Sequence, residues 1–248
     1  NRRPCHGGGA RLVTALSEAE WERFGMQSFD AIYKRACKRH GGEGEVASQL
    51  STPKSKAALK KIPDDRWLAG MTRAVFQAGF SWKVIDNKWS GFEEAFEGFV
   101  PPRVAFYADE DLERLVSDKR IVRNGAKIKA TITNARLVTE LVQEHGSAGA
   151  FFANSKPENY IDLLEVLKKR GSYLSGGSAQ YFLRFSGVDS WIMSSSVVAA
   201  LKQAGVVDKA PTSKKALKAT QDAFNLWRKE SGRSLTEISR VLALSADG

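Results

Sequence analysis

Apolar residues recur at three- and four-residue spacing along most of this chain and nowhere in a sustained alternation. The longest run, over 125–144, carries Ile128, Ile132, Ala135, Val138 and Leu141/Val142. That period builds one face of a helix, whereas a half-buried strand requires a period of two. The chain is therefore expected to be all-α, roughly ten short helices around a hydrophobic core.

Local signals place the helices. Ser17 with Glu20 forms a capping box that opens one. Phe29, Ile32, Tyr33 and Ala36 share a face over 28–39, and 41–63 reads as a basic connector with room for one short helix. From Asp64/Asp65, Trp67, Leu68, Met71, Val75 and Ala78 fall on one stripe that Gly79 stops. A helix over 81–88 follows. Ser90 and Glu93 then cap a helix carrying Phe92, Phe96 and Phe99, which Pro101-Pro102 ends. Asp109 leads Leu112, Leu115 and Val116. After the long 125–144 stripe come 158–169, a glycine-rich turn, 178–186 and 195–204. Thr212 opens a helix with Leu217, Phe224 and Trp227, and Ser234 with Glu237 caps the last. Four regions result: a flexible tail (1–16), N-terminal helices with a basic connector (17–62), a helical core (63–207), and a C-terminal helical extension packed on that core (208–248). The extension turns Lys209, Lys214, Lys215 and Lys218 to solvent.

Charge narrows the partner. Lys and Arg number 38 against 28 Asp and Glu, a net charge of +10. So basic a chain points to an anionic partner, nucleic acid before a membrane surface. No apolar run reaches the ~18 residues of a membrane span. No apolar segment follows the basic start, so no secretory signal is expected. Cys5 and Cys37 do not make a disulfide framework, which fits a reducing cytoplasm.

Three constellations carry possible chemistry. Leu163–Arg170, Gly171-Ser172-Tyr173-Leu174-Ser175-Gly176-Gly177 and Ser178–Ser186 spell helix, glycine turn, helix. Free N–H groups at the start of the second helix favour a phosphate, and Lys168, Lys169 and Arg170 stand just before the turn. This is how a helix-hairpin-helix grips a DNA backbone without reading sequence. Gln77-Ala78-Gly79-Phe80-Ser81-Trp82 sets two aromatics after a helix stop, where they can line a cleft. Ile121-Val122-Arg123-Asn124-Gly125-Ala126-Lys127-Ile128 puts Arg123 and Lys127 at the mouth of the longest helix. On local pattern alone, an ordinary helical corner, a core aromatic pair and a solvated helix start remain open for the three.

Taken in order, these segments resemble the DNA-3-methyladenine glycosylase I family, a branch of the helix-hairpin-helix glycosylase superfamily. The resemblance runs from about Asp64 to Val207. It rests on Gln77–Trp82, Phe92–Phe96, Asp111–Val116, Ile121–Ile128, Asn134-Ala135-Arg136 and Leu167–Gly171, while 1–60 and 208–248 match poorly. It implies a helical fold with a DNA-binding cleft and hydrolysis of the N-glycosidic bond of an alkylated purine such as 3-methyladenine, with no lyase step. The base must leave the stack to be reached. Trp82 matches the tryptophan that stacks on it, with Phe80, Gln77 and Tyr33 as further base contacts. Gly171, Tyr173, Gly176, Gly177 and Ser178 would hold the backbone, and Lys168, Lys169, Arg170, Arg123 and Lys127 would contact phosphate.

The departures concern catalysis. The family's pocket glutamate falls at Ala74. The superfamily's catalytic aspartate falls at Ser196, and the Schiff-base lysine of its bifunctional members at Ala179, which argues against an imine. Asp189 and Asp86 are the carboxylates to test for positioning water; a helix cap or a surface charge remains the ordinary reading of each. The family joins its termini through Cys and His ligands. This chain offers only Cys5, His6, Cys37 and His40 there, so neither metal nor cofactor is expected. The expected enzyme acts as a monomer on duplex DNA with a damaged base, in the cytoplasm at the nucleoid. The alternative is a catalytically inactive or differently specific helix-hairpin-helix DNA-binding protein.

Overall fold

The structure, a computed structural model, describes Trp21 and residues 25–247. The tail at 1–16 and the capping box at Ser17 lie outside the described residues. Among the described residues every regular element is helical: fifteen α-helices and two 3₁₀ turns. The excess over the expected ten comes from short helices of five to seven residues, too short to show a period.

α1 (Phe29–Arg39) opens on Ser28, whose hydroxyl accepts the Ala31 N–H at 3.3 Å. The connector folds into two helices rather than one, α2 (Glu43–Ser48) and α3 (Lys56–Lys60). α4 (Asp64–Gln77) starts after Pro63 with two acids in its first turn, as the positive end of a helix dipole favours. α5 (Trp82–Asn87) and α6 (Trp89–Ala95) follow. The expected Ser90/Glu93 cap does not form. α6 begins at Trp89, and Glu93 instead accepts the Trp89 Nε1–H at 2.9 Å and an Arg66 N–H at 2.8 Å. Pro101-Pro102 opens α7 (Pro101–Ala105) rather than closing a helix, because proline in a first turn gives up an N–H that has no intrahelical acceptor anyway.

α8 (Asp109–Ser117) and α9 (Gly125–His145) agree with the periodicity. α10 (Ala148–Asn154), which no stripe announces, is capped by Ser147. α11 (Tyr160–Arg170), α12 (Gly176–Ser186) and α13 (Ser195–Gln203) come next. Ser213, not Thr212, caps α14 (Lys214–Ser231). α15 (Leu235–Ser245) carries the expected box: Ser234 N–H donates to Glu237 Oε2 at 2.9 Å and Glu237 N–H to Ser234 Oγ at 3.1 Å.

The chain divides into two compact units. One gathers the described residues up to Gln49, Ser195–Arg233 and the described residues from Arg240; the other gathers Leu50–Ser194 with Ser234–Ser239. Two local contacts accompany this division. α10 presses on α3 so closely that a Cβ on Gly149 would lie 2.6 Å from the Leu59 carbonyl oxygen, which ties the end of the connector to the larger unit. The end of α13 is tied to the N-terminal chain, since Gln27 N–H donates to the Ala204 carbonyl at 3.0 Å.

In the smaller unit Glu230 of α14 accepts the Phe29 and Asp30 N–H groups at 2.7 and 3.1 Å, and Trp227 Nε1–H reaches the Gln27 carbonyl. The larger unit is built on α4, whose Trp67 stacks on Phe152 at 4.3 Å and meets Phe182 edge-on. All three rings are buried. Truncating such a ring to alanine costs about 3–5 kcal/mol, so this cluster fixes α4 against α10 and α12.

Candidate functional site

α4 ends at Gln77, and Gly79 at φ +78° reverses the chain into α5. That turn sets Trp82 at the first position of α5, 41% exposed despite its size. Its indole is held by α12: Tyr181 meets it edge-to-face at 5.1 Å and Phe185 at 5.6 Å. Trp82, Tyr181, Ala74, Gln77, Gly177 and Ser178 bound a cavity of about 320 Å³ in which no charged side chain takes part. Gln77 is 7% exposed, and its Oε1 is buried with no hydrogen-bond partner. Buried acceptors are rarely left unpaired, and this one borders the cavity.

Lys127 is placed differently from the expectation. Rather than reaching out to phosphate it is 6% exposed. Its ammonium donates to the Phe76 carbonyl at 3.3 Å and to the Ala78 carbonyl. It also lies 4.6 Å from the centre of the Phe80 ring. The last carbonyls of α4 lack intrahelical donors, and a cation at the negative end of the dipole satisfies them. Burial lowers the Lys127 pKa from its ordinary value. Lys127 thus fixes the turn that carries Phe80 and Trp82. Phe80, 40% exposed, is packed on one side by that ammonium.

The glycine turn joins α11 to α12. Tyr173 and Gly176 both take left-handed φ, 57° and 53°. Asn134 of α9 holds the turn: its side-chain oxygen accepts the Ser172 N–H at 2.8 Å and its amide donates to the Ser172 carbonyl at 3.1 Å. No side chain caps the start of α12. The Ser178 hydroxyl donates back to the Tyr173 and Ser175 carbonyls, and Gly176 and Gly177, in the first turn of α12, are exposed. Of the three basic residues before the turn, Arg170 is paired. Its guanidinium binds Glu144 at 2.7 Å and Glu140 at 2.9 Å, and those carboxylates raise its pKa further. Lys169 pairs with Glu165 at 3.2 Å on an exposed face. Lys168 and Arg123 are exposed and enter no ion pair among the described residues.

Residues 61–173 match the methyladenine glycosylase family. A DNA-3-methyladenine glycosylase of Haemophilus influenzae is 30% identical over 131 residues, which span 45% of this chain and 71% of that protein. The chain belongs to the methyladenine glycosylase family. DNA-3-methyladenine glycosylase 1 of Escherichia coli is 38% identical over 85 residues, covering 33% of this chain; the chain spans about half (46%) of that relative. Among solved structures, 3-methyladenine DNA glycosylase I of Staphylococcus aureus matches at 24% identity and a TM-score of 0.48, over 56% of this chain and 80% of that one. Another 3-methyladenine DNA glycosylase I matches at 23% identity and 0.46, over 56% and 83%. In this methyladenine glycosylase family member, Ala74, Gln77 and Trp82 lie inside the matched stretch, whereas Tyr181 and Phe185 lie past it.

The remaining candidates have structural duties. Asp189 accepts the Thr236 N–H at 2.9 Å and so caps the first turn of α15. Asp86 is exposed and pairs with Arg73 at 3.1 Å. Neither lines the cavity beside Trp82. Ser196 stands in the first turn of α13 and Tyr33 on α1, both in the smaller unit. Tyr33 stacks on Phe29 at 6.1 Å and carries Arg233 over its ring at 5.0 Å; burial raises its pKa. Cys5 and His6 lie outside the described residues. His40 meets the Leu244 carbonyl at 2.9 Å, and no three metal-ligating side chains converge among the described residues. Sequence reasoning missed Asn134, Tyr181 and Phe185 as site residues. Tyr181 and Phe185 stand four apart on one face of a helix, a signal that was legible.

Proposed function

We propose that this chain is a monofunctional DNA glycosylase that removes an alkylated purine such as 3-methyladenine from duplex DNA. The observation that carries the reading is one cavity shared by an exposed tryptophan and the start of the hairpin's second helix, Gly177 and Ser178. A base turned out of the duplex would meet Trp82 while the adjoining phosphate meets the free N–H groups of α12. The family's relatives are named for this activity.

A purine alkylated at N3 is cationic, and an indole face attracts a cation by about 1–2 kcal/mol once water is excluded. Gln77 Oε1 offers a buried side-chain acceptor without a partner among the described residues, suited to the exocyclic amine of adenine. No carboxylate lines the cavity, so the pocket holds the base and the leaving group drives the reaction. Water adds to C1′ as the C1′–N9 bond breaks. The electron pair of that bond neutralises the departing base, and the proton of the water passes to solvent. Ala179, buried on α12, supplies no amine for an imine. The protein acts as a monomer on DNA in the cytoplasm.

The same lack of a carboxylate favours a second reading, a protein that binds damage without cutting. Chromatography of bases released from N-methylated DNA separates the two. Release of 3-methyladenine by the wild type, and its loss in Trp82→Ala, supports the enzyme. Salt-sensitive binding with no base released supports the binder.

A further inference from the structure

A second cavity, about 520 Å³, shares two wall residues with the Trp82 pocket: Ala74 and Gln77. Beyond those two its chemistry is opposite. Lys54, Lys61, Arg66 and Arg73 line it, and no carboxylate does. Outside the lining, Glu93 and Asp65 hold Arg66, and Asp86 takes one Arg73 Nη at 3.1 Å. Lys54 and Lys61 make no ion pair among the described residues. Two buried polar atoms on α4, one helical turn apart, border this space without partners: the Arg73 Nε donor and the Gln77 Oε1 acceptor. The shared wall holds nothing bulkier than alanine apart from Gln77, and the neighbouring position on α4 is Gly70.

A bare cationic purine gains nothing from a space lined by four cations; a group bearing acceptors or negative charge gains charge-assisted hydrogen bonds there. The geometry points to a bipartite site. It takes an alkylated purine whose substituent is larger than methyl and ends in a carboxylate or similar acceptor, with the cationic ring against Trp82 and the arm in the basic cavity. N3-carboxymethyladenine is the simplest base of that class. This inference rests on the glycosylase reading of the Trp82 pocket. Hydrolysis proceeds at the same C1′–N9 bond, with the arm unchanged.

The test compares release of 3-carboxymethyladenine and 3-methyladenine from singly modified duplexes under single-turnover conditions, for the wild type, Arg73→Met and Gly70→Leu. The wild type is expected to release both. Arg73→Met should lower the carboxymethyl-to-methyl rate ratio about 10- to 100-fold, the loss of one hydrogen bond to a charged group. Gly70→Leu should lower it by filling the space. A Cβ at Gly70 meets Phe182 and Ser186 at an ordinary 3.5 Å, and if the longer side chain unfolds the protein, Arg73→Met still decides. Release of 3-methyladenine alone, or a ratio that Arg73→Met does not move, overturns the inference and leaves the glycosylase reading intact. Weaker binding of undamaged duplex by Arg73→Met at an unchanged ratio assigns the cavity to a backbone phosphate and also overturns it. If neither base is released, quenching of Trp82 fluorescence by the two free bases is read instead. Equal quenching, or none, refutes the bipartite site.

Discussion

Replacing Lys127 with methionine separates a structural lysine from a DNA contact. The substitution keeps the apolar stem and removes the ammonium that holds the Phe76 and Ala78 carbonyls. Hydrogen bonds to a charged group contribute about 1.5–3 kcal/mol each. Against the two bonds stands the desolvation of a buried ammonium, which methionine avoids. The balance is a loss of about 2–4 kcal/mol. In a chain of this size each kcal/mol moves Tm by about 2–4 °C, so Tm should fall by about 5–15 °C. Because burial lowers the Lys127 pKa, the unfolded chain binds more protons than the folded one between the folded pKa and the ordinary lysine value. Wild-type stability gains as pH rises through that window, and the variant has no such gain. The assays are thermal melts across pH and the salt dependence of duplex binding by fluorescence anisotropy. A buried lysine leaves the slope of log Kd against log salt unchanged. An unaltered Tm together with a slope reduced by about one would place the ammonium on a phosphate and refute the argument.

Arg123→Ala and Lys168→Ala, by contrast, should each reduce that salt slope by about one without changing Tm. Asn134→Ala removes both hydrogen bonds to Ser172. Leaving two backbone groups unpaired should cost about 2–4 kcal/mol locally and speed amide exchange at Ser172; unchanged exchange there would count against Asn134 as the anchor of the turn. Arg66→Gln tests the acid limb. Arg66 holds the Glu93 pKa below the ordinary value, so the stability it gives is complete above the ordinary glutamate pKa and lost as pH falls through the depressed folded value. The variant should be weakest relative to wild type near neutrality and equal to it in strong acid. Asp189→Asn should keep both the α15 cap and base release, whereas Asp189→Ala should cost about 1 kcal/mol and leave the chemistry intact. A loss of base release in a folded Asp189→Asn would return that carboxylate to catalysis.

The helices were legible where a long stripe met a clear stop. α1, α4, α9 and the Ser234/Glu237 cap of α15 follow from apolar period and capping chemistry, which act within one turn of the chain. The short helices were not, because five to seven residues hold too little period to distinguish them from a turn. The glycine turn between α11 and α12 and the exposed tryptophan were also legible, since glycine turns and aromatic pairs after a helix stop are local signs. The sequence by itself determined an all-helical, basic chain with those motifs in that order. Only the tertiary structure decided what each charged group does. Lys127, Arg170, Asp189 and Asp86 look alike as mobile surface charges on paper, but each met a partner brought by another element: the carbonyls ending α4, the carboxylates of α9, the first turn of α15 and the guanidinium of Arg73. Whether a charge is free to bind DNA depends on what lies within hydrogen-bonding reach of it, and that is set by packing across long sequence separations rather than by neighbours along the chain.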